Sequence, residues 1–264
     1  MSQSNSRPQP YPGTQAVLRA MSLLKAFDDE RREWGLAELA QEVGLNKTTT
    51  FRLLTALESE GMVARRPSHE TYTLGPEIVV LGGRALRAND LRSLARPELE
   101  QMAAASGETA TLEITSGEDH VLIIDEVIGN HLVGSSQSLG TRWPMVATST
   151  GIAMLAHLPE ARVAKILERP LAPLTPKTVT DTAVFRQELA QTRQRGYSFL
   201  QEWLEEGLIV VGAPLFNHDG QVVAAISLGA PANRFPSERE PEMGQLVRET
   251  AVCISARLGW EGGQ

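Results

Sequence analysis

Apolar residues recur at helical spacing from Gln15 onward: Ala16, Ala20, Leu23 and Phe27 fall at i, i+4, i+7 and i+11 and predict one amphipathic helix. The charged stretch from Asp28 to Glu33 ends it. Leu36, Leu39, Ala40 and Val43 repeat the pattern as a second helix, Gly44 supplies the permissive backbone of a sharp turn, and Leu45 drops back into the core. Asn46 is a good N-cap for a third helix, whose inward stripe is Thr50, Leu53, Leu54 and Leu57 and which stops at Gly61. Met62-Val-Ala and Thr71-Tyr-Thr-Leu74 then read as two strands around a turn holding Pro67, Ser68 and His69. Helix, tight turn, helix and hairpin, in that order, is the sequence form of a winged helix-turn-helix, so duplex DNA is the expected partner.

Pro76 biases Gly75 away from helix and is well placed to start one, and the run from Glu77 to Arg87 predicts a helix that links two domains. Beyond Arg92 the texture changes. A helix through Leu99 and Met102 leads to strands Thr109–Thr115 and His120–Val127, then helical stretches near 150–157, 160–167 and 181–195. Strands 208–216 and 221–229 flank Asn217-His-Asp-Gly220, a hairpin turn, and a last helix covers 237–258. Hairpins mixed with helices predict an α+β domain on an antiparallel sheet. The expected boundaries are a disordered Ser/Pro/Gln-rich tail at 1–13, a DNA-binding domain at 14–76, a linker helix at 77–91 and a second domain at 92–264.

At 264 residues the chain suits two domains. No apolar run approaches the roughly 20 residues of a membrane span, and the N-terminus lacks a signal-peptide layout, so a cytoplasmic protein is expected. Cys253 is the single cysteine, expected to be buried in the last helix; no internal disulfide, metal site or cofactor follows from it. His120, His131, His157 and His218 lack metal spacing and adjoin no nucleophile motif, so no catalytic residue is assigned. The net charge of -7 is unevenly spread: residues 1–92 carry 12 Lys/Arg against 11 Asp/Glu, and residues 93–264 carry 13 against 21. The acid sits away from the expected DNA surface, and the modest basic excess around Asn46–Arg66 points to affinity gathered from several copies.

Leu36-Ala-Glu-Leu-Ala40, Val43-Gly-Leu-Asn-Lys-Thr-Thr-Thr-Phe-Arg52 through Gly61, Tyr72-Thr-Leu-Gly-Pro76 and Leu81-Gly82 together resemble the DNA-binding half of IclR-type bacterial transcriptional regulators. Val133-Gly-Ser135, Pro144, Ala147–Ala156, Arg195-Gly-Tyr197, Gly207, Ala213-Pro214 and Val223–Gly229 fall in the order of that family's effector-binding domain. The resemblance runs from about Gln15 to the end. It implies a GAF-like sensor domain that binds a small organic molecule and helps assemble homodimers or homotetramers. Repression is expected ahead of activation.

A recognition helix offers its N-terminal side chains to base edges and phosphates. Asn46, Lys47, Thr48, Thr49, Phe51 and Arg52 occupy that end, and Arg65, Arg66 and His69 on the wing are expected at backbone or minor groove. The resemblance carries effector contacts onto Ser149 and Thr150, expected at a helix N-terminus that favours a carboxylate, onto Leu200, Val210, Ser227 and Gly229, and onto Leu139, Trp143 and Met145 from a preceding loop. Where the family commonly carries acidic residues after Gly196, this chain reads Tyr-Ser-Phe-Leu-Gln-Glu-Trp203, with Leu200 at an acidic position. A larger, less polar effector is therefore expected, an aromatic or otherwise hydrophobic carboxylate. A DNA-binding protein with a ligand-free oligomerisation domain, and an enzyme, stay open as alternatives.

Overall fold

The computed structural model describes residues 11, 13–28, 30–66, 70–130 and 139–262. His69, His131, Val133–Ser135 and most of the N-terminal tail lie outside the described residues. The chain divides into two compact units, one ending at Ala88 and the other starting at Asn89.

The first unit runs α1 (Gln15–Lys25), β1 (Trp34–Gly35), α2 (Leu36–Glu42), α3 (Lys47–Ser59), β2 (Val63–Arg66), β3 (Thr71–Leu74) and α4 (Pro76–Arg87). Its strands form an antiparallel sheet in the order β1-β3-β2, so the hairpin gains a third, two-residue strand that periodicity did not show. Leu23, Phe27, Trp34, Leu39, Leu54, Val63 and Tyr72 make one core, with Leu36, Val43, Leu53 and Leu57 packed against it. Trp34 is the unforeseen member: its indole N–H donates to the Ala26 carbonyl at 3.0 Å, and the Arg31 guanidinium stacks 3.6 Å above its ring. The expected α1 stripe is buried only at its C-terminal end, since Ala16 is exposed and Ala20 half-buried. The wing exits through a close approach that requires glycine, because a Cβ on Gly75 would lie 2.1 Å from the Gly61 carbonyl oxygen.

The second unit carries α5 (Asp90–Ser106), β4 (Thr109–Ser116), β5 (His120–Val127), β6 (Arg142–Pro144), a 3-10 turn (Met145–Ala147), α6 (Ser149–Leu155), α7 (Glu160–Leu167), α8 (Thr182–Arg195), β7 (Ser198–Gln201), β8 (Leu208–Phe216), β9 (Val222–Pro231) and α9 (Glu240–Arg257). Six antiparallel strands order as β6-β5-β4-β9-β8-β7. Helix α6 packs on one face against β8 and β9, and α5 and α9 pair on the other. Helices α5 and α8 end as their sequences dictate, with Gly107 and Gly196 in the left-handed region at φ 77° and 82°.

Ion pairs on buried carboxylates help to fasten this unit. Arg234 grips the buried Glu108 with two hydrogen bonds at 2.9 and 2.7 Å. Arg92 and Arg96 converge on the fully buried Asp125 at 3.1 and 2.9 Å. The last helix corrects one expectation: Met243, Val247, Ala251 and Ile254 face inward, which turns Cys253 to the surface, where it is an exposed free thiol.

Candidate nucleic-acid interface and effector site

The start of α3 is fixed by its cap. The Asn46 side chain accepts the Thr49 N–H at 2.8 Å, and the Thr50 hydroxyl folds back to the Asn46 carbonyl at 3.0 Å. Thr50 and Leu54 are buried, so the helix is rolled with Lys47, Thr48, Phe51 and Arg52 outward and Thr49 half-buried. Phe51 is 46% exposed, an apolar ring offered to solvent at the end of a helix that carries two cations. Lys47, Arg52 and Arg65 form no ion pair with a described residue, whereas Arg66 is held by Glu33 at 2.7 Å. Glu33 also accepts the Thr71 hydroxyl at 3.2 Å, tying both wing strands to the segment before β1. The structure thus separates two wing arginines that look alike in sequence: among the described residues Arg66 has an ion-pair partner and Arg65 has none.

In the second unit a small cavity lies between the start of α6 and the sheet. Its walls are Glu113 of β4, Ala147 and Thr148 ahead of α6, and Ser149 and Thr150 within it. Leu200 of β7, Leu208 and Val210 of β8, and Trp203 and Leu204 from the bend between those strands complete it. The volume open inside is about 10 Å³, room for one water molecule. Helix α6 reaches the sheet because residue 212 is glycine: a Cβ there would stand 2.7 Å from the Ser149 carbonyl carbon and 2.9 Å from the Thr150 nitrogen. The Ser198 hydroxyl adds a 2.7 Å bond to the Ser149 carbonyl. The Trp203 bend is tied from outside, since the Thr178 hydroxyl donates to the Trp203 carbonyl at 2.7 Å.

Of the residues expected at an effector, Ser149, Thr150, Leu200 and Val210 come together in this cavity. Leu139, Trp143, Met145, Ser227 and Gly229 are not among its lining residues. Leu139 sits in a turn and is 45% exposed. Trp143 belongs to edge strand β6 and Met145, fully buried, to the 3-10 turn, so neither is in an irregular loop. Ser149 and Thr150 open helix α6, and Thr148 caps it by accepting the Gly151 N–H at 3.1 Å.

Glu113 escaped the sequence reading and dominates the chemistry of the cavity. Its Oε1 accepts the Thr111 hydroxyl at 3.0 Å and its Oε2 the Thr150 hydroxyl at 2.6 Å. Thr111 in turn lies 2.7 Å from the Ser227 hydroxyl. No described cation pairs with Glu113; burial raises its pKa to about 7 while the two hydroxyls pull the other way.

Comparison with known proteins joins the two sites. Residues 16–67 match the IclR helix-turn-helix domain and residues 83–256 match the profile described as bacterial transcriptional regulator IclR C-terminal. The chain belongs to the IclR family of bacterial transcriptional regulators. It is 33% identical over 247 residues to the transcriptional repressor IclR of Escherichia coli, covering 93% of this chain and 90% of that protein. An IclR transcriptional regulator from Alicyclobacillus acidocaldarius superposes with a TM-score of 0.83 at 30% identity, covering 95% of this chain and all of that one (100%). An IclR homolog from Microbacterium hydrocarbonoxydans, solved in complex with 4-hydroxybenzoate, gives 0.79 at 25% identity, covering 92% and 98%. As an IclR-family regulator the chain binds DNA through its helix-turn-helix. Among the described residues no helix is long and apolar enough to cross a membrane, and no group of His, Cys, Asp and Glu is placed to hold a metal ion.

Proposed function

We propose that this regulator is a cytoplasmic repressor without enzymatic activity, built as a DNA-binding domain at 14–76, a linker helix at 77–91 and an effector-binding domain at 92–264. Helix α3 enters the major groove with Lys47, Thr48, Thr49 and Arg52 at base edges and phosphates, Asn46 fixing the helix start and Phe51 beside them. Arg65 meets backbone or minor groove; Arg66 and His69 complete the wing. The observation that carries this reading is the roll of α3, which buries Thr50 and Leu54 and leaves Lys47, Thr48 and Arg52 outward, neither cation ion-paired to a described residue. Salt-dependent anisotropy titrations on the promoter beside its own gene test it. Absence of salt-sensitive retention defeats it.

The effector is a small organic acid with an aromatic or otherwise hydrophobic body. Leu200, Trp203, Leu204, Leu208 and Val210 supply the apolar walls that favour such a body. The related structure with 4-hydroxybenzoate supports the class. Binding opens the closed cavity against the Trp203 bend and modulates operator binding. Calorimetric titration with substituted benzoates tests the class, and binding confined to two-carbon acids overturns it.

The regulator works as a homodimer or homotetramer. On α1, Val17, Leu18 and Met21 are 62%, 47% and 40% exposed, and α4 buries none of its residues while Val79 is 76% exposed. Apolar stripes of that size are covered by a second copy. Sedimentation of the full chain tests this.

A further inference from the structure

The hydroxyls around Glu113 point one way. With Glu113 ionised, both Thr111 and Thr150 give their single proton to the carboxylate, which leaves the Ser227 hydroxyl to donate to Thr111. Three side chains from β4, α6 and β9 therefore spend their donors on a path that ends at two oxygens, each with a lone pair to spare. Among the described residues no cation pairs with Glu113, and Glu113 is the one ionisable residue in the cavity wall. The other side of the space is aliphatic and indole surface from Leu200, Leu208, Val210 and Trp203. A ligand carbonyl or carboxylate pressed against this wall would meet lone pairs, whereas a hydroxyl or amino group would find an acceptor in a desolvated setting. That contrast is where polar discrimination is largest.

We propose that Glu113 determines the specificity of the effector pocket, selecting ligands that bring a hydroxyl or amino donor to the sheet side of the cavity. The inference rests on the reading of this cavity as the effector site. For an aromatic acid it fixes the orientation: the donor substituent faces β4 and the carboxylate points away from it. Burial holds the Glu113 carboxyl near neutrality, so a donor that satisfies the ionised form removes an existing strain rather than adding one.

The test is calorimetry on the full chain at pH 8 with four matched probes: 4-hydroxybenzoate, 4-aminobenzoate, 4-methylbenzoate and benzoate. The wild type is expected to bind the first two at least about tenfold more tightly than the last two. Glu113→Met is expected to erase or reverse the preference, a readout that loss of folding alone does not produce. Glu113→Gln, which keeps the volume and one neutral acceptor oxygen, is expected to reduce the preference without erasing it and carries the comparison if the methionine variant melts early. Equal binding of all four probes, or a preference that neither substitution reduces, overturns the role of Glu113. Val210→Trp separates the two levels of the argument: it fills the cavity and must abolish binding. If no probe binds the wild type, or the tryptophan variant binds as well as the wild type, the effector-site reading falls and the inference with it.

Discussion

Glu113→Gln tests the electrostatics of the cavity without any ligand. Glutamine is isosteric with the protonated carboxyl and offers an amide oxygen to Thr150 or Thr111. In the folded chain burial raises Glu113 from 4.5 to about 7. Between those values the unfolded chain has released its proton while the folded chain still holds it, so wild-type stability falls as pH rises through this window. The cost is absent below 4.5 and complete above about 7. At about 1.4 kcal/mol for each pH unit, it amounts to about 3 kcal/mol. For a domain of this size the corresponding gain in Tm at pH 8 is about 6 to 12 °C. The measurement is a thermal melt of both full-length proteins at pH 5, 6, 7 and 8, followed by circular dichroism. His157 titrates in the opposite sense, because burial and then Arg193 lower it to about 4 and its contribution to stability is lost as pH falls from 6.5. It is present in both proteins and cancels in the difference. The gap between the curves must be small at pH 5 and widest at pH 8. Curves that run parallel across the range would falsify the claim that Glu113 is buried without a counter-charge.

Four further outcomes follow from geometry already described. Lys47→Ala and Arg65→Ala should each weaken operator binding almost uniformly across sequences and make the salt slope shallower by about 1, read from anisotropy titrations at several salt concentrations. Asn46→Ala removes the α3 cap and should cost about 1 kcal/mol in chemical denaturation of the first unit. Arg234→Met takes both guanidinium hydrogen bonds from the buried Glu108 and should destabilise the second unit in chemical denaturation, a loss that a double variant with Glu108→Gln partly restores. Gly212→Ala drives a methyl into the Ser149 backbone, with an expected loss of about 1 to 3 kcal/mol and of probe binding in calorimetry; unchanged affinity would show that α6 moves freely on the sheet.

The DNA-binding half was legible because its signals are local. Asn46 caps α3 through its own third neighbour, and Leu39, Ala40, Leu54 and Val63 reach the core their spacing announces. What failed there is also physical: β1 is two residues long and exists only because Trp34 pairs with Tyr72 from the far strand. In the sensor half, β6 and β7 are edge strands of three and four residues, too short for alternation to declare them. Glu113 was hidden by the same rule that found its strand. Thr109, Thr111, Glu113 and Thr115 alternate as a water-facing row would, yet α6 covers that face, and only the long-range pairing of β4 with β9 places Ser227 beside it. Cys253 was misjudged because α9 is read inward at Met243, Val247, Ala251 and Ile254, a phase that its weak amphipathic pattern left undetermined.

The pairing of β4 with β9 has a consequence for how the polypeptide is made. Thr109 through Ile114 hydrogen-bond to Ala224 through Gly229, so the centre of the six-stranded sheet cannot zip until the ribosome has released almost the whole message. The first unit closes as a compact body by Ala88 and is synthesised first. A translation product cut short before Val222 would therefore carry the whole first unit joined to an unpaired β4 edge, prone to clump.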